Sequence, residues 1–204
     1  WLVGCFSLVQ LFSGPLIGKL SDRVGRRPVL LISIIGTAVG YFITGAAFAP
    51  WMLFLGRIID GASGGNIATA QACIADVTPP HERSKAMGHI GAAFGLGFIF
   101  GPAIGGVLSH YFGPASPFYF AGALSVVNGI FVWLRLPETL SEEKRLHPTE
   151  PAPLGEVFAE GRAWFIGLLL AATLVSTTGF ASIHLLFALF CQDHVGYTLQ
   201  QTSY

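Results

Sequence analysis

The chain is dominated by long apolar stretches that are separated by short polar connectors. A helix of about 20 apolar residues is long enough to cross the hydrocarbon core of a bilayer. Because that core offers no water to bond exposed backbone groups, only helices and closed barrels can span it. Cutting the sequence at its charged clusters and at Pro and Gly predicts six spanning helices, at 1–18, 28–48, 51–75, 87–110, 118–134 and 164–191. We therefore expect an all-α integral membrane protein.

Composition supports this class and argues against several others. Only 11% of the residues are charged, whereas an ordinary soluble domain has about 25%. The formal net charge is zero, which gives no general attraction to nucleic acid. Cys5, Cys73 and Cys191 lie far apart and outside any metal-ligand spacing. There is no nucleophile elbow and no phosphate-binding loop in the sequence, so we expect neither an enzyme nor a bound metal or cofactor.

The basic residues are distributed asymmetrically between the connectors. Ten of the eleven Lys and Arg residues fall in 19–27, 79–85 and 135–162. Since cytoplasmic loops carry an excess of Lys and Arg, these three connectors are predicted to be cytoplasmic. Six spans then put both ends of the chain outside, and one earlier helix would correct this, so we expect the sequence to be part of a longer chain.

The first basic connector has an unusual pattern. It reads Gly18-Lys19-Leu20-Ser21-Asp22-Arg23-Val24-Gly25-Arg26-Arg27. Its glycines permit a tight turn between antiparallel spans, and Asp22 can pair with Arg26 four residues later. The string resembles the motif between the second and third helices of the major facilitator superfamily, Gly-x-Leu-x-Asp-Arg-x-Gly-Arg-Arg.

Three further strings continue this resemblance in order. Arg57 and Gly61 are similar to the family's fourth-helix pattern, and Pro137-Glu138-Thr139 is similar to the end of its sixth helix. The predicted fourth span resembles the motif of the drug antiporters, carried here by Gly88, Gly97, Gly101, Pro102, Gly105 and Gly106. Glycines at such spacing give a helix a smooth face that another backbone can approach. That face could equally serve helix packing alone.

The resemblance implies a domain organisation. The six spans correspond to family helices two to seven, six of a probable twelve. Residues 1–135 would belong to the N-terminal bundle, 136–161 to a cytoplasmic linker and 162–204 to the start of the C-terminal bundle. The Pro-rich and charged composition of 136–161 is independently typical of a solvated linker.

Two charged residues lie inside the predicted third span. Arg57 and Asp60 are far from its cytoplasmic end, and each charge in mid-bilayer costs roughly 2.5 to 3.5 kcal/mol. We expect a proton- or substrate-linked pair that faces a central cavity. A local salt bridge, with Arg57 reaching outward, is the alternative. Other polar residues that could line the same cavity are Gln10, Asn66 and Gln71.

Asp76 ends the predicted third span at the cytoplasmic side. The family places an acid there that engages the motif between helices two and three. The resemblance thus implies a conformational switch made of Gly18, Asp22, Arg23, Gly25, Arg26, Arg27 and Asp76. A charge cluster that water can reach is inexpensive to break and remake, as a switch requires.

The resemblance is greatest to the tetracycline-resistance and multidrug branch. It implies proton-coupled efflux of a small organic compound by alternating access, with the proton gradient as energy source and a monomer in the bacterial inner membrane. Tetracycline exporters carry an acid in their third helix, whereas span 28–48 holds no acid and has Gly40 near that place. Uptake of a sugar or metabolite, or a membrane receptor or scaffold of the same fold, are the alternatives.

Overall fold

A computed structural model describes residues 1–142 and a few later positions: 145, 164, 167, 168, 171, 172, 174, 175 and 178. The described chain forms six helices and no strand: α1 Leu2–Val24, α2 Arg26–Gly45, α3 Pro50–Ala62, α4 Asn66–Val77, α5 Arg83–Phe112 and α6 Ser116–Arg135. All six belong to one compact unit, Trp1–Pro148, and the second unit is Thr149–Tyr204. Apart from those few positions, the predicted span 164–191 and domain 162–204 lie outside the described residues.

Four helices are long and apolar enough to cross a membrane. They are α1, α2, α5 and α6, and they match the first, second, fourth and fifth predicted spans to within several residues. The prediction of an all-helical membrane fold is confirmed. Length and apolar composition were sufficient for it, because a bilayer leaves few other structures available.

The third predicted span, 51–75, is wrong as a single helix. It forms α3 and α4 with a turn at residues 63–65 between them. Two consecutive glycines, Gly64 and Gly65, lower the helix propensity there, and α1 packs against the break. The side chains of Gln10 and Ser13 donate to the carbonyls of Gly64 and Gly61, at 3.1 and 2.8 Å. Inserted side chains of this kind are an established cause of helix interruption.

The first basic connector is also more helical than predicted. α1 continues to Val24 and α2 begins at Arg26, so Gly25 alone makes the turn. Its φ of 121° lies in a region that residues with a Cβ rarely adopt. The direct passage from one helix to the next holds Asp22 and Arg26 close together, one on each side of the turn.

The packing of the bundle is organised around α2. This helix contacts α1, α3, α4 and α6, and it supplies four of the buried apolar residues: Val29, Leu30, Ile34 and Ala38. Gly40 and Gly56 bring the backbones of α2 and α3 together, since a Cβ on either glycine would lie 2.8 Å from the other's carbonyl oxygen. Small residues permit this close approach between membrane helices.

We predict that Gly56→Ala destabilises the protein, because the new methyl group would overlap Thr44 Oγ1 and the Gly40 carbonyl. Overpacking of this kind costs about 1–3 kcal/mol. Gly91→Ala is the matched control, since a Cβ at Gly91 in α5 meets open space. Thermal unfolding of the purified full-length protein should show a lower Tm for the first variant only. Equal Tm values for the two variants would contradict the close approach of Gly56 to Gly40 and Thr44.

Candidate functional site

A charged cluster lies at the end of the bundle that carries the basic residues of 19–27, called here the basic end. Arg26, the first residue of α2, organises it. Its Nη1 lies 2.6 Å from Asp22 Oδ1, and its Nε lies 3.0 Å from Asp76 Oδ2. The same Nη1 donates to Ser21 Oγ at 2.7 Å. The structure thus brings together three residues of the predicted switch, Asp22, Arg26 and Asp76, and ties the ends of α1 and α4 to the start of α2.

The two carboxylates differ in their exposure to solvent. The side chains of Arg26 and Asp76 are 11% and 14% exposed, whereas that of Asp22 is 49% exposed. Exposed ion pairs contribute little to stability, but hydrogen bonds to charged groups that are shielded from water contribute more. Asp76 is therefore the stronger partner of Arg26.

Glu138 joins this cluster from the connector that follows α6, a role that sequence reasoning missed. Its carboxylate accepts from the backbone N–H groups of Arg26 and Arg27, at 2.8 and 3.2 Å, and from that of Leu140 at 3.1 Å. The N-cap residue of α2 is Gly25, which has no side chain to cap the helix. Glu138 satisfies these free donors instead and places a negative charge at the positive end of the helix. The sequence signal that pointed to this residue was the string Pro137-Glu138-Thr139.

The surroundings of Glu138 favour its charged form. Burial alone would raise the pKa of this carboxyl group, but hydrogen bonds from the backbone N–H groups of Leu140, Arg26, Arg27 and Thr139 outweigh it and lower the pKa from its ordinary value of 4.5. Gly25 makes this contact possible, because any side chain there would collide with the Glu138 carboxylate.

The other predicted switch residues lie at the edge of the cluster. Arg27 donates from Nη2 to the carbonyl of Trp133, and the Arg23 carbonyl accepts from Arg145 Nε at 3.3 Å. Gly18 has open space beside it. Arg27 and Arg23 therefore contribute basic charge and backbone contacts, and neither has an ion pair among the described residues.

The intramembrane pair lies between α3 and its neighbours. Arg57 Nη1 is 3.6 Å from Asp60 Oδ2, and the guanidinium group lies 5.9 Å from the centre of the Phe118 ring of α6. Asp60 is only 7% exposed and packs against α2, where a Cβ at Gly40 would lie 3.0 Å from the Asp60 Cβ. Asp60 is therefore buried between α3 and α2, while the side chain of Arg57 is 28% exposed beside α6, and the role of the pair in coupling stays a prediction.

The three polar residues that were predicted to share a cavity with this pair have other neighbours among the described residues, and the shared cavity stays a prediction. Gln10 is bonded to the carbonyl of Gly64 at the helix break. Asn66 borders a largely apolar cavity of about 310 Å³ together with Asn128. Gln71 is exposed on α4. Among the described residues no hydrogen bond or ion pair joins any of them to Arg57 or Asp60.

The antiporter-like motif lies along α5. A Cβ at Gly88, Gly97, Gly101 or Gly105 would meet nothing within 4 Å, while Gly106 is buried and Pro102 lies inside the helix. Within the described part of the chain, these four glycines do not serve helix packing. Gly97, Gly101 and Gly105 recur every four residues and so form one smooth face, which is open in the described part of the chain; Gly88 lies on the opposite side of the helix.

Together these features define a class of protein. Helices that can cross the bilayer, an ion pair in an apolar segment and a charge cluster at one end of the bundle are typical of a multi-pass membrane carrier. The sequence profile of the Major Facilitator Superfamily matches residues 1–204. The chain belongs to this family and is part of a multi-pass membrane protein.

Known relatives place the chain near drug-resistance proteins. It is 44% identical to the class B tetracycline resistance protein of Escherichia coli over 68% of the chain and 34% of that protein. It is 35% identical to multidrug resistance protein 1 of Bacillus subtilis over 97% of the chain and 50% of that protein. The chain thus spans between a third and half of the length of these relatives.

A solved structure is similar as well. The crystal structure of the human organic anion transporter MFSD10 (TETRAN) matches with a TM-score of 0.65 and 38% identity, over 71% of this chain and 33% of the other. The predicted family, and the resemblance to the tetracycline and multidrug resistance proteins, are confirmed.

We predict that Arg26 is coupled more strongly to Asp76 than to Asp22. Double-mutant cycles with Arg26→Gln, Asp76→Asn and Asp22→Asn should give a coupling energy of about 1.5–3 kcal/mol for the shielded pair and below about 1 kcal/mol for the exposed one. Thermal unfolding of the full-length protein measures both. Equal coupling energies for the two pairs would contradict the prediction that the shielded pair is the stronger one.

We also predict that Glu138→Gln weakens the protein in a pH-dependent way. Because the folded-state pKa of Glu138 is lowered, its carboxylate stabilises the fold above its ordinary pKa, and this contribution is lost as the pH falls through the lowered value. Because Glu138 is exposed and water screens its contacts, the variant should lose only about 0.5 kcal/mol at neutral pH, the low end for a lost helix cap, and little at acidic pH. Glu142→Gln, an exposed carboxylate on the same connector, is the control, and a loss that is independent of pH would contradict the cap.

Proposed function

We propose that the full-length protein is a secondary carrier that exports a small organic compound in exchange for protons. The observation that carries this proposal is Asp60, a carboxylate that is 7% exposed within an apolar segment. Arg57 is its one ion-pair partner among the described residues. Ionisable groups within the membrane are costly, and they commonly mark proton relays and substrate pathways.

The pair offers a simple way to couple a proton to a conformational change. While Asp60 is charged, its attraction to Arg57 offsets part of the cost of holding both charges in the bilayer. A proton on Asp60 removes that attraction and leaves the guanidinium group against the Phe118 ring. The arrangement of charge between α2, α3 and α6 then differs between the two protonation states, and this difference can favour one conformation over the other.

The charge cluster at the basic end supplies the second element of the proposed cycle. Arg26 holds α1, α2 and α4 together, and release of Asp76 would free the end of α4. The open glycine face of α5 suits a surface along which another helical bundle moves. Rocking of two such bundles about a site near the midplane is the general mechanism of alternating access.

The relatives suggest the class of substrate. Their names refer to tetracycline, multiple drugs and organic anions, so we propose a drug-like organic compound. The lack of an acidic residue in α2 argues against tetracycline in particular. A side chain at Gly40 would overlap the Gly56 carbonyl and the backbone of Asp60, so an acid cannot be accommodated there. The nearest intramembrane acid at this place is Asp60 itself, on the neighbouring helix.

The test is transport by the full-length protein in energised inside-out membrane vesicles, with a panel of drugs that includes tetracycline. Wild type should accumulate at least one drug, and a protonophore should abolish this. Asp60→Asn should lose accumulation but keep exchange of labelled for unlabelled drug, since exchange needs no net proton movement. Glu142→Gln, which alters an exposed carboxylate outside the spans, controls for expression and should behave as wild type.

Other outcomes separate the alternatives. Normal accumulation by Asp60→Asn would make this residue structural and remove it from coupling. Loss of exchange as well as accumulation would mean that the variant cannot bind or move its substrate. If no drug is moved by wild type in either direction, uptake of a metabolite or a role as a receptor becomes the better explanation.

A further inference from the structure

Arg57 lies between two partners that belong to different helices. Its Nη1 is 3.6 Å from Asp60 Oδ2 on α3, and its Cζ is 5.9 Å from the centre of the Phe118 ring on α6. The first distance is longer than the about 2.7–2.9 Å of a direct charge-assisted hydrogen bond. The second is within the about 6 Å over which an aromatic face attracts a cation. The guanidinium group is therefore shared between the carboxylate and the ring.

The place of Phe118 is set by close packing between α2 and α6. Phe118 is the third residue of α6, and a Cβ at Gly45, the last residue of α2, would lie 3.3 Å from the Phe118 Cβ. One turn further along α6, a Cβ at Gly122 would lie 3.0 Å from the ring of Phe42 on α2. The two glycines thus bring the helices together on either side of the first turn of α6, from which the Phe118 ring extends.

The ring is the feature of this end of α6 that attracts a cation. The start of a helix carries a partial positive charge, which repels a guanidinium group. The first turn of α6 holds no acidic residue to offset that charge. The face of an aromatic ring, in contrast, is the negative part of its quadrupole. The attraction of Arg57 to α6 therefore depends on the Phe118 ring.

The two members of the ion pair differ in their freedom to move. Asp60 is buried against Gly40 of α2, where a short side chain has little room. The side chain of Arg57 is longer and more exposed than that of Asp60. Arg57 is therefore the member of the pair that can change partner.

We propose that Phe118 is a positioning residue for proton coupling, whose ring holds the Arg57 guanidinium group while Asp60 carries a proton. This inference rests on the proposed function. While Asp60 is charged, Arg57 is shared between the two partners, and once Asp60 is neutral the ring is the one of the two that remains. It then reduces the cost of an arginine in the membrane that has lost its counter-charge. A proton on α3 is thereby felt by α6.

Stepwise fluorination of the Phe118 ring tests this role on the full-length protein. Phenylalanines that carry one, two or three fluorine atoms are introduced at position 118 by nonsense suppression. Each fluorine withdraws electron density from the ring face and weakens its attraction to a cation, while the shape of the ring changes little. The series is made in wild type, in Asp60→Asn, which lacks the carboxylate charge, and in Arg57→Met, which lacks the cation. The same series at Phe120, which is exposed on the same helix, is the matched control.

Thermal unfolding measures the contact independently of transport. The Tm should fall with each fluorine at position 118, and it should fall further in Asp60→Asn than in wild type, because the ring is then the remaining partner. It should stay constant in Arg57→Met and for the series at position 120. An equal fall in Arg57→Met would assign the effect to packing and overturn the proposal. A fall in Asp60→Asn no larger than in wild type would overturn it as well.

Transport in inside-out vesicles measures the role in coupling. Three fluorines at position 118 should reduce proton-driven accumulation of drug by about two- to fivefold, the equivalent of an exposed cation–π contact, and leave exchange unchanged. Unchanged accumulation together with the expected Tm series would overturn the coupling role and leave a structural contact. If Asp60→Asn accumulates drug as wild type does, the proposed function fails and the coupling role of Phe118 is overturned with it, whatever the Tm series shows.

Discussion

The guanidinium group of Arg26 is the point on which the basic end of the bundle depends. Through its side chain it joins Asp22 at the end of α1 and Asp76 at the end of α4. Through its backbone N–H it joins Glu138, beyond the end of α6. Four segments of the chain, two of them distant from α2 in sequence, thus meet at one residue. Since the side chain of Asp22 is half exposed, water can replace its contact with Arg26 at little cost, whereas the shielded contact with Asp76 is the stronger one.

The sequence was sufficient to predict the membrane fold because apolar length and the bilayer together leave few choices. It also indicated the grouping of Asp22, Arg26 and Asp76, through the resemblance of 18–27 to a family motif. It did not predict the break at residues 63–65. The glycines there are visible in the sequence, but glycine is common in membrane helices, and the side chains of α1 that bond the free carbonyls come from a distant segment.

Two other features depended on tertiary structure in the same way. The capping of α2 by Glu138 joins residues 112 positions apart, and no local pattern indicates which helix a distant carboxylate will cap. The helix that Asp60 contacts could not be predicted from the sequence either. Helical spacing puts Arg57 and Asp60 on one face, but only the contact of α3 with Gly40 of α2 shows which neighbour that face meets. Sequence reasoning therefore predicted the pair of Arg57 and Asp60 but not which helices surround it.

The break between α3 and α4 puts the two charged sites on different helices. Asp60 lies on α3, before the break, and Asp76 lies at the end of α4, after it. The break is held by the side chains of Gln10 and Ser13 of α1 and by the backbone bonds of the turn from Ser63 and Gly64. In consequence α4 is a separate helix with its own contacts to α1, α2 and α5. The bond of Asp76 to Arg26 depends on where α4 lies, whereas the contact of Asp60 with Gly40 depends on α3.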